Sequence, residues 1–140
     1  MTERDAIVRL LVERFRRRPR FLTVPQTVRL IRRLVKHARP GDGLCVLWGG
    51  ARNNDGYGKL NLRLHGRHFQ FYVHRLSHQL ADDPTDIPWY REVAHGCDTP
   101  PCFSPLCLER ARRPDNRRAS GENTQRKLRA RRAGEMRAAA

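Results

Sequence analysis

Apolar positions recur at helical spacing through the first forty residues and then give way to alternation. Ile7, Leu11 and Phe15 share one helical face with Val8 and Val12 beside them, and Thr2 stands where a cap is required. The run Arg16-Arg17-Arg18-Pro19 ends that pattern. A second helix is predicted to start at Thr23 and Pro25 and to bury a stripe of Val28, Ile31, Leu34 and Val35. Residues 39–43, with their proline and two glycines, stop it. Arg29, Arg32, Arg33 and Lys36 then occupy its other faces.

From residue 44 the texture is that of strands. Residues 44–48 form a short apolar run, Asn53-Asn54-Asp55-Gly56 is strong turn chemistry, and residues 57–64 alternate. His65-Gly66 separates that strand from residues 67–73, where Phe69 and Phe71 alternate with polar residues, as in a half-buried hairpin. Residues 74–80 read as a short helix broken by Pro84 and Pro88, and residues 91–94 as a brief strand leading into His95. Pro114 suits the first turn of a later helix, with Asp115 and Asn116 near its N-terminus, where backbone donors favour anions.

Charge narrows the partners. The chain has 140 residues, 39% of them hydrophobic, and a formal net charge of +15. That is enough for one domain with a modest core. Residues 1–40 carry 12 Lys and Arg against 3 acids and residues 108–140 carry 11 against 4, whereas residues 41–107 are nearly balanced at 6 against 7. Arginine dominates both flanks, and its planar fork suits phosphate. A polyanion, nucleic acid first, is the expected partner. The plainer reading is a solvated basic surface, and the helical pair serves equally as a packing layer or an accessory DNA-binding module. Absence of a long uncharged apolar stretch argues against a signal peptide or spanning helix, so no membrane partner is expected. The expected location is intracellular, cytoplasmic or nucleoid-associated.

Cysteine spacing adds the sharpest signal. Cys97, Cys102 and Cys107 follow one another at equal intervals, and Cys45 stands far upstream. Four thiols are the number that a closed tetrahedral zinc site needs, and thiolate is a soft ligand that suits it. In a reducing compartment a metal explains them better than two disulfides. A metal staple would also support a modest core.

The segments Trp48-Gly49-Gly50-Ala51-Arg52-Asn53-Asn54-Asp55-Gly56-Tyr57-Gly58, Val73-His74-Arg75-Leu76-Ser77, and Ala94-His95-Gly96-Cys97-Asp98 with Cys102, Cys107 and Asp115-Asn116 occur in this order. Together they resemble the HNH endonucleases of the His-Me finger (ββα-metal) superfamily, most closely the zinc-bearing His-Cys box branch. The resemblance covers roughly residues 44–120. It implies an α+β fold: a ββα-metal core with a structural zinc knuckle, preceded by the N-terminal helical pair. The organisation expected is a basic helical segment at 1–43, a zinc-stapled nuclease core at 44–120 and a basic tail at 121–140.

Carried over by motif, His95 matches the general base and Asn116 the ligand of a catalytic divalent ion, Mg²⁺ or similar. Cys97 and Cys102 match two zinc ligands. Cys107 replaces the histidine of the His-Cys box pattern, and Cys45 matches its upstream cysteine. Relatives contact the scissile phosphate with a hairpin arginine; Arg67, just after the Gly66 turn, is the first candidate and Arg63 the second. Many relatives place an aspartate before the base histidine, where this chain has Ala94. Arg63, Arg75, Arg112, Arg113, Arg117, Arg118, Arg126 and Lys127 are the expected nucleic-acid contacts. The resemblance favours DNA over RNA, and relatives of this type are commonly homodimers.

The chemistry is coherent without the resemblance. Phosphodiester hydrolysis needs a base near neutrality, which imidazole supplies, and a hard cation, which an asparagine oxygen can help hold. Zinc would be structural and Mg²⁺ catalytic. Taken singly, His95 reads first as a packed histidine, Asn116 as a helix cap, His74 as a packing residue, and Trp48, Trp89 and Tyr57 as core. The competing function is a noncatalytic zinc module that binds nucleic acid through its basic flanks.

Overall fold

The computed structural model describes residues 2–87 and 91–112. Over them the chain is α+β, with helices α1 (Glu3–Arg14), α2 (Val24–Lys36) and α3 (Val73–Ala81). Six short strands accompany them: β1 (Ala38–Pro40), β2 (Val46–Trp48), β3 (Lys59–Leu64), β4 (Arg67–Tyr72), β5 (Arg91–His95) and β6 (Leu108–Arg112). The strands form three antiparallel pairs, β1 with β2, β3 with β4 and β5 with β6. No described helix is long and apolar enough to cross a membrane.

Both long helices begin with a reciprocal cap. Thr2 accepts from the Asp5 N–H at 3.1 Å while Asp5 accepts from the Thr2 N–H, a bond that holds the Asp5 carboxyl below its ordinary range. Thr23 and Gln26 repeat the arrangement on α2, with Pro25 in its first turn. The buried stripe of α2 keeps Leu34, with Ile31 and Val35 packed against the core, but is centred on Thr27, Leu30 and Leu34, and Val28 is 42% exposed. Thr27 can join the stripe because its hydroxyl donates to the Thr23 carbonyl at 2.8 Å, which leaves no polar atom unsatisfied.

Arg4 ties α1 to the other end of α2. Its guanidinium donates to the carbonyl of Ala38, the first residue of β1, at 2.7 Å and to those of Val35 and Lys36 in the last turn of α2 at 3.4 Å, where a cation also complements the helix dipole. Arg4→Ala should therefore cost about 1 kcal/mol and lower the thermal midpoint by about 4 °C. An unchanged midpoint in thermal unfolding would show that water replaces the guanidinium without loss.

One hydrophobic cluster draws on all three helices. Leu11, Leu30, Leu34, Trp48, Leu60, Leu76, Leu80 and Phe103 are buried together, with the Trp48 and Phe103 rings edge to face at 5.8 Å. The linker after α1 is held by backbone bonds from Arg17 to Leu80 and from Arg20 to Pro84. The N-terminal helices thus share the core with the strands.

The β3–β4 turn follows its sequence signal. His65 and Gly66 both have positive φ, 52° and 76°, the geometry of a two-residue turn matched to strand twist. Its register places Lys59, Asn61 and Arg63 on one face, opposite Tyr72, Gln70 and His68; Leu60, Leu62 and Leu64 take the other, opposite Phe71, Phe69 and Arg67. Phe71 stacks on Phe21 at 5.3 Å, but Phe69 is 44% exposed because the hairpin outreaches the core. Strand β6 was not foreseen: Leu108-Glu-Arg-Ala-Arg is too charged to read as a strand, and pairing with β5 imposes its form.

Candidate functional site

The four cysteines converge. Their sulfurs all lie within 4.8 Å of one another, and all four residues are buried. Cys45 is delivered by a turn in which its N–H donates to the Asp42 carbonyl and its own carbonyl accepts from Gly41 at 3.2 Å. A Cβ on Gly41 would sit 2.9 Å from that of Cys45, so the turn requires glycine. Cys102 and Cys107 each close a tight turn, donating to Thr99 and Ser104 at 2.9 Å, and Asp98 takes positive φ between Cys97 and them. Strand β2 is sewn to this loop by a Leu47–Cys102 bridge and by bonds from Phe103 to Val46 and from Trp48 to Pro101. Those bonds bring the distant Cys45 to the other three.

A tetrahedral zinc–thiolate centre with bonds of about 2.3 Å has sulfurs about 3.8 Å apart, so the observed span suits that ion. The donor set is wholly soft thiolate, and four protein ligands leave no open position, the signature of a structural rather than a catalytic zinc. Thiol electrostatics agree: hydrogen bonds from Cys102 and Cys107 pull Cys97 toward thiolate, while the Cys107 thiol and burial push Cys102 up. Four crowded sulfurs cannot share negative charge easily until a cation joins them. The cluster is consistent with a structural zinc site.

His95 ends β5 beside this cluster. Its ring is partly buried, and Nε2 lies 2.9 Å from the carbonyl oxygen of Cys102. A carbonyl only accepts, so Nε2 carries the proton and Nδ1 of the neutral ring is left as the basic nitrogen. Burial lowers the His95 pKa; Cys97, the Cys102 carbonyl and Asp98 oppose that shift. Cys102 thus offers its sulfur to the cluster and its carbonyl to the imidazole.

Three further rings wall His95 in. His74 lies 4.6 Å from it between ring centroids and Tyr57 5.6 Å; Tyr72 closes the group at 5.8 Å from His74. Sequence reasoning treated His74 as packing and Tyr57 as core and gave Tyr72 no role. The signal available was the pair of glycines around Tyr57: Gly56 has φ of 89°, and a Cβ on Gly58 would strike the Trp48 ring at 2.8 Å. Those glycines hold Tyr57 where a bulkier chain could not bend.

Burial, reinforced by the charges of His95, Arg75 and His78, drives the His74 pKa from 6.5 down to about 2. The unfolded chain binds this proton near the ordinary value and the folded chain does not. Stability conferred by neutral His74 is therefore complete above pH 6.5 and is lost as pH falls toward the folded value. Each unit of acidification in that window should remove about 1.4 kcal/mol, and His74→Phe should flatten the profile by that amount. Parallel profiles of zinc-loaded wild type and variant in chemical denaturation would disprove it.

The structure brings His95 and the four cysteines together and separates the hairpin arginines. Arg63 lies on the face of Lys59 and Tyr72, toward the His95 rings, but four residues along the strand, about 13 Å away. Arg67 lies on the opposite face, beside Leu64. Arg75 is partly buried on α3 and engaged with neighbouring groups. Asn116, Arg113, Arg117, Arg118, Arg126 and Lys127, like Trp89, the helix expected after Pro114 and the tail at 121–140, lie outside the described residues; Arg112 is described only as the last residue of β6. Among the described residues the four cysteines are the one group of His, Cys, Asp and Glu side chains placed to hold a metal. No protein-family model, curated protein or solved structure matches this chain.

Proposed function

We propose that the chain is a metal-dependent endonuclease of the HNH, His-Me finger type that hydrolyses DNA phosphodiester bonds. The observation that carries this reading is the bond between His95 Nε2 and the Cys102 carbonyl at 2.9 Å. A packed histidine would also satisfy its N–H on a carbonyl, but this bond in addition leaves Nδ1 as the basic nitrogen. A base whose Nδ1 must take a proton from water needs that tautomer, and the carbonyl selects it. The β5–loop–β6 hairpin, whose first strand ends at His95 and whose loop contains three of the cysteines, is compatible with the ββ portion of such a core.

In this mechanism His95 Nδ1 accepts a proton from a water molecule, the oxygen of that water attacks phosphorus, and the bond from phosphorus to the 3′-oxygen breaks. A divalent ion held through Asn116, Mg²⁺ by its oxygen chemistry, would neutralise charge at phosphate and leaving group. His74 and Tyr57 pack against the His95 ring, with Tyr72 behind them, and limit its orientation. Of the hairpin arginines, Arg63 shares the face of the reacting centre and grips phosphate further along the strand, whereas Arg67 is turned from it.

The second reading, a noncatalytic zinc module for nucleic acid, is favoured by the closed donor set and the exposed arginines of α2. Incubating supercoiled plasmid with the zinc-loaded protein and Mg²⁺ separates the two. Nicked or linear product is expected. Binding with no scission of DNA or RNA across Mg²⁺, Mn²⁺ and Ca²⁺ would establish the module instead.

A further inference from the structure

The C-terminal half of α2 and the polar face of the β3–β4 hairpin enclose a cleft of about 280 Å³. Its floor is the buried Trp48 ring, with His37 tilted against it at 5.1 Å between centroids. Arg33 of α2 and Lys59 of β3 both line it, together with Asn61 and Gln70. The sides are fastened together, because Arg33 Nη1 donates to the Asn61 carbonyl at 2.6 Å. A Cβ on Gly50 would meet the Trp48 indole at 2.7 Å, so the segment bordering the cleft is shaped to the ring beneath it.

Neither the nuclease centre nor the core requires this combination. Two cations and two amides around a small opening make a site for an oxyanion, and the volume lies at the lower edge of ordinary ligand pockets, roughly 300–1,000 Å³. A single phosphate-bearing unit suits it better than a large cofactor. Charge continues outside: Arg29, Arg32, Lys36 and Arg39 are exposed on α2 and just beyond it, and α2 contains no acidic residue. Arg29 and Lys36 are about 10 Å apart along the helix. Burial lowers the His37 imidazole, and the positive charges of Lys36, Arg33 and Arg39 lower it further, so the wall of the cleft already repels an added proton. A line of cations leading to a pocket fits a repeating anion, of which the pocket takes one unit.

We propose that the Arg33–Lys59 cleft is a phosphate-binding subsite for the polynucleotide backbone, separate from the reacting centre, with the cationic face of α2 as its approach. This rests on the nucleic-acid reading given above. The hairpin links the two sites, since Lys59 pairs with Tyr72, which packs on His74 beside His95. A duplex lying along the polar face of the hairpin would engage both. Phosphate contacts of this kind position a substrate without reading its sequence.

The test uses full-length, zinc-loaded protein and a fluorescent 20-base-pair duplex without Mg²⁺, with affinity measured against salt concentration. Removing both cations by Arg33→Ala and Lys59→Ala should lower the slope of log affinity on log salt by about 2 and weaken binding at least tenfold near physiological salt. Zinc content and thermal unfolding confirm that the variant is folded. Arg9→Ala with Arg14→Ala removes the same charge from α1 and should have a smaller effect; equal losses in the two pairs would mean diffuse attraction and overturn the site. An unchanged slope in the cleft variant, with steep binding by wild type, would overturn this inference alone. Wild type that binds no nucleic acid would remove the functional reading as well. Inorganic phosphate and a mononucleotide serve as competitors at matched ionic strength, and competition by either as strong as that of unlabelled duplex would identify a small-anion site instead.

Discussion

Cys102→Ser should release the metal and unfold the middle of the molecule. Serine hydroxyl is a poor zinc ligand at neutral pH, and the three remaining thiolates would stay crowded in a buried pocket with an incomplete shell. Structural zinc contributes an apparent 10–16 kcal/mol in small zinc modules, comparable with the roughly 5–15 kcal/mol that stabilises a whole domain. Losing one ligand of four should cost several kcal/mol and lower the thermal midpoint by about 15 °C or more. Cys102 is fully buried, and its backbone bridges to Leu47, so the damage should spread to β2 and to the turn that delivers Cys45. Elemental analysis and thermal unfolding are the measurements. Full zinc stoichiometry with wild-type stability would remove Cys102 from the centre. Asn116→Ala provides the contrast: zinc and fold retained, cleavage lost.

The second large effect is kinetic. His95→Ala should lower the plasmid-cleavage rate by about 10²–10⁴, the usual contribution of a positioned general base, while DNA affinity changes less than about threefold. The imidazole lies outside the proposed ligand set and is partly exposed, so the variant should keep its zinc and its fold. A cleavage rate within tenfold of wild type would end the general-base assignment. Loss of zinc from His95→Ala would instead make the histidine a structural partner of the cluster.

Much of this was legible along the chain wherever one residue type has one physical use. Thr2 and Thr23 announced their helices through capping chemistry, and His65-Gly66 announced a hairpin through left-handed backbone. The four cysteines were legible as a set because their number and the spacing of three of them match a closed tetrahedral thiolate site. Local pattern failed where long-range contact decides. On α2 the stripe held at Ile31, Leu34 and Val35, but Thr27 and Leu30 take the place expected of Val28, because threonine counts as polar until its hydroxyl is seen to bond within its own helix. Strand β6 is charged enough to pass for loop, and only its register with β5 makes it a strand. The relation of Arg63 to Arg67 depends on pairing parity across a two-residue turn, which spacing from a family motif does not supply. Tyr72 and His74 are near neighbours in sequence, but only the folding of β5 beside α3 brings His95 to them and to Tyr57.

The shared use of Cys102 has a physiological consequence. Its sulfur belongs to the four-cysteine cluster and its carbonyl meets the His95 imidazole, so on the proposed reading the loss of zinc would be transmitted through a single peptide unit to the base of an Mg²⁺-dependent reaction. On that reading, protein made in a zinc-poor cell would be silent even when Mg²⁺ is abundant. Resupply would switch it on by refolding the middle of the chain around the cluster and so restoring the His95 ring, with no new protein made.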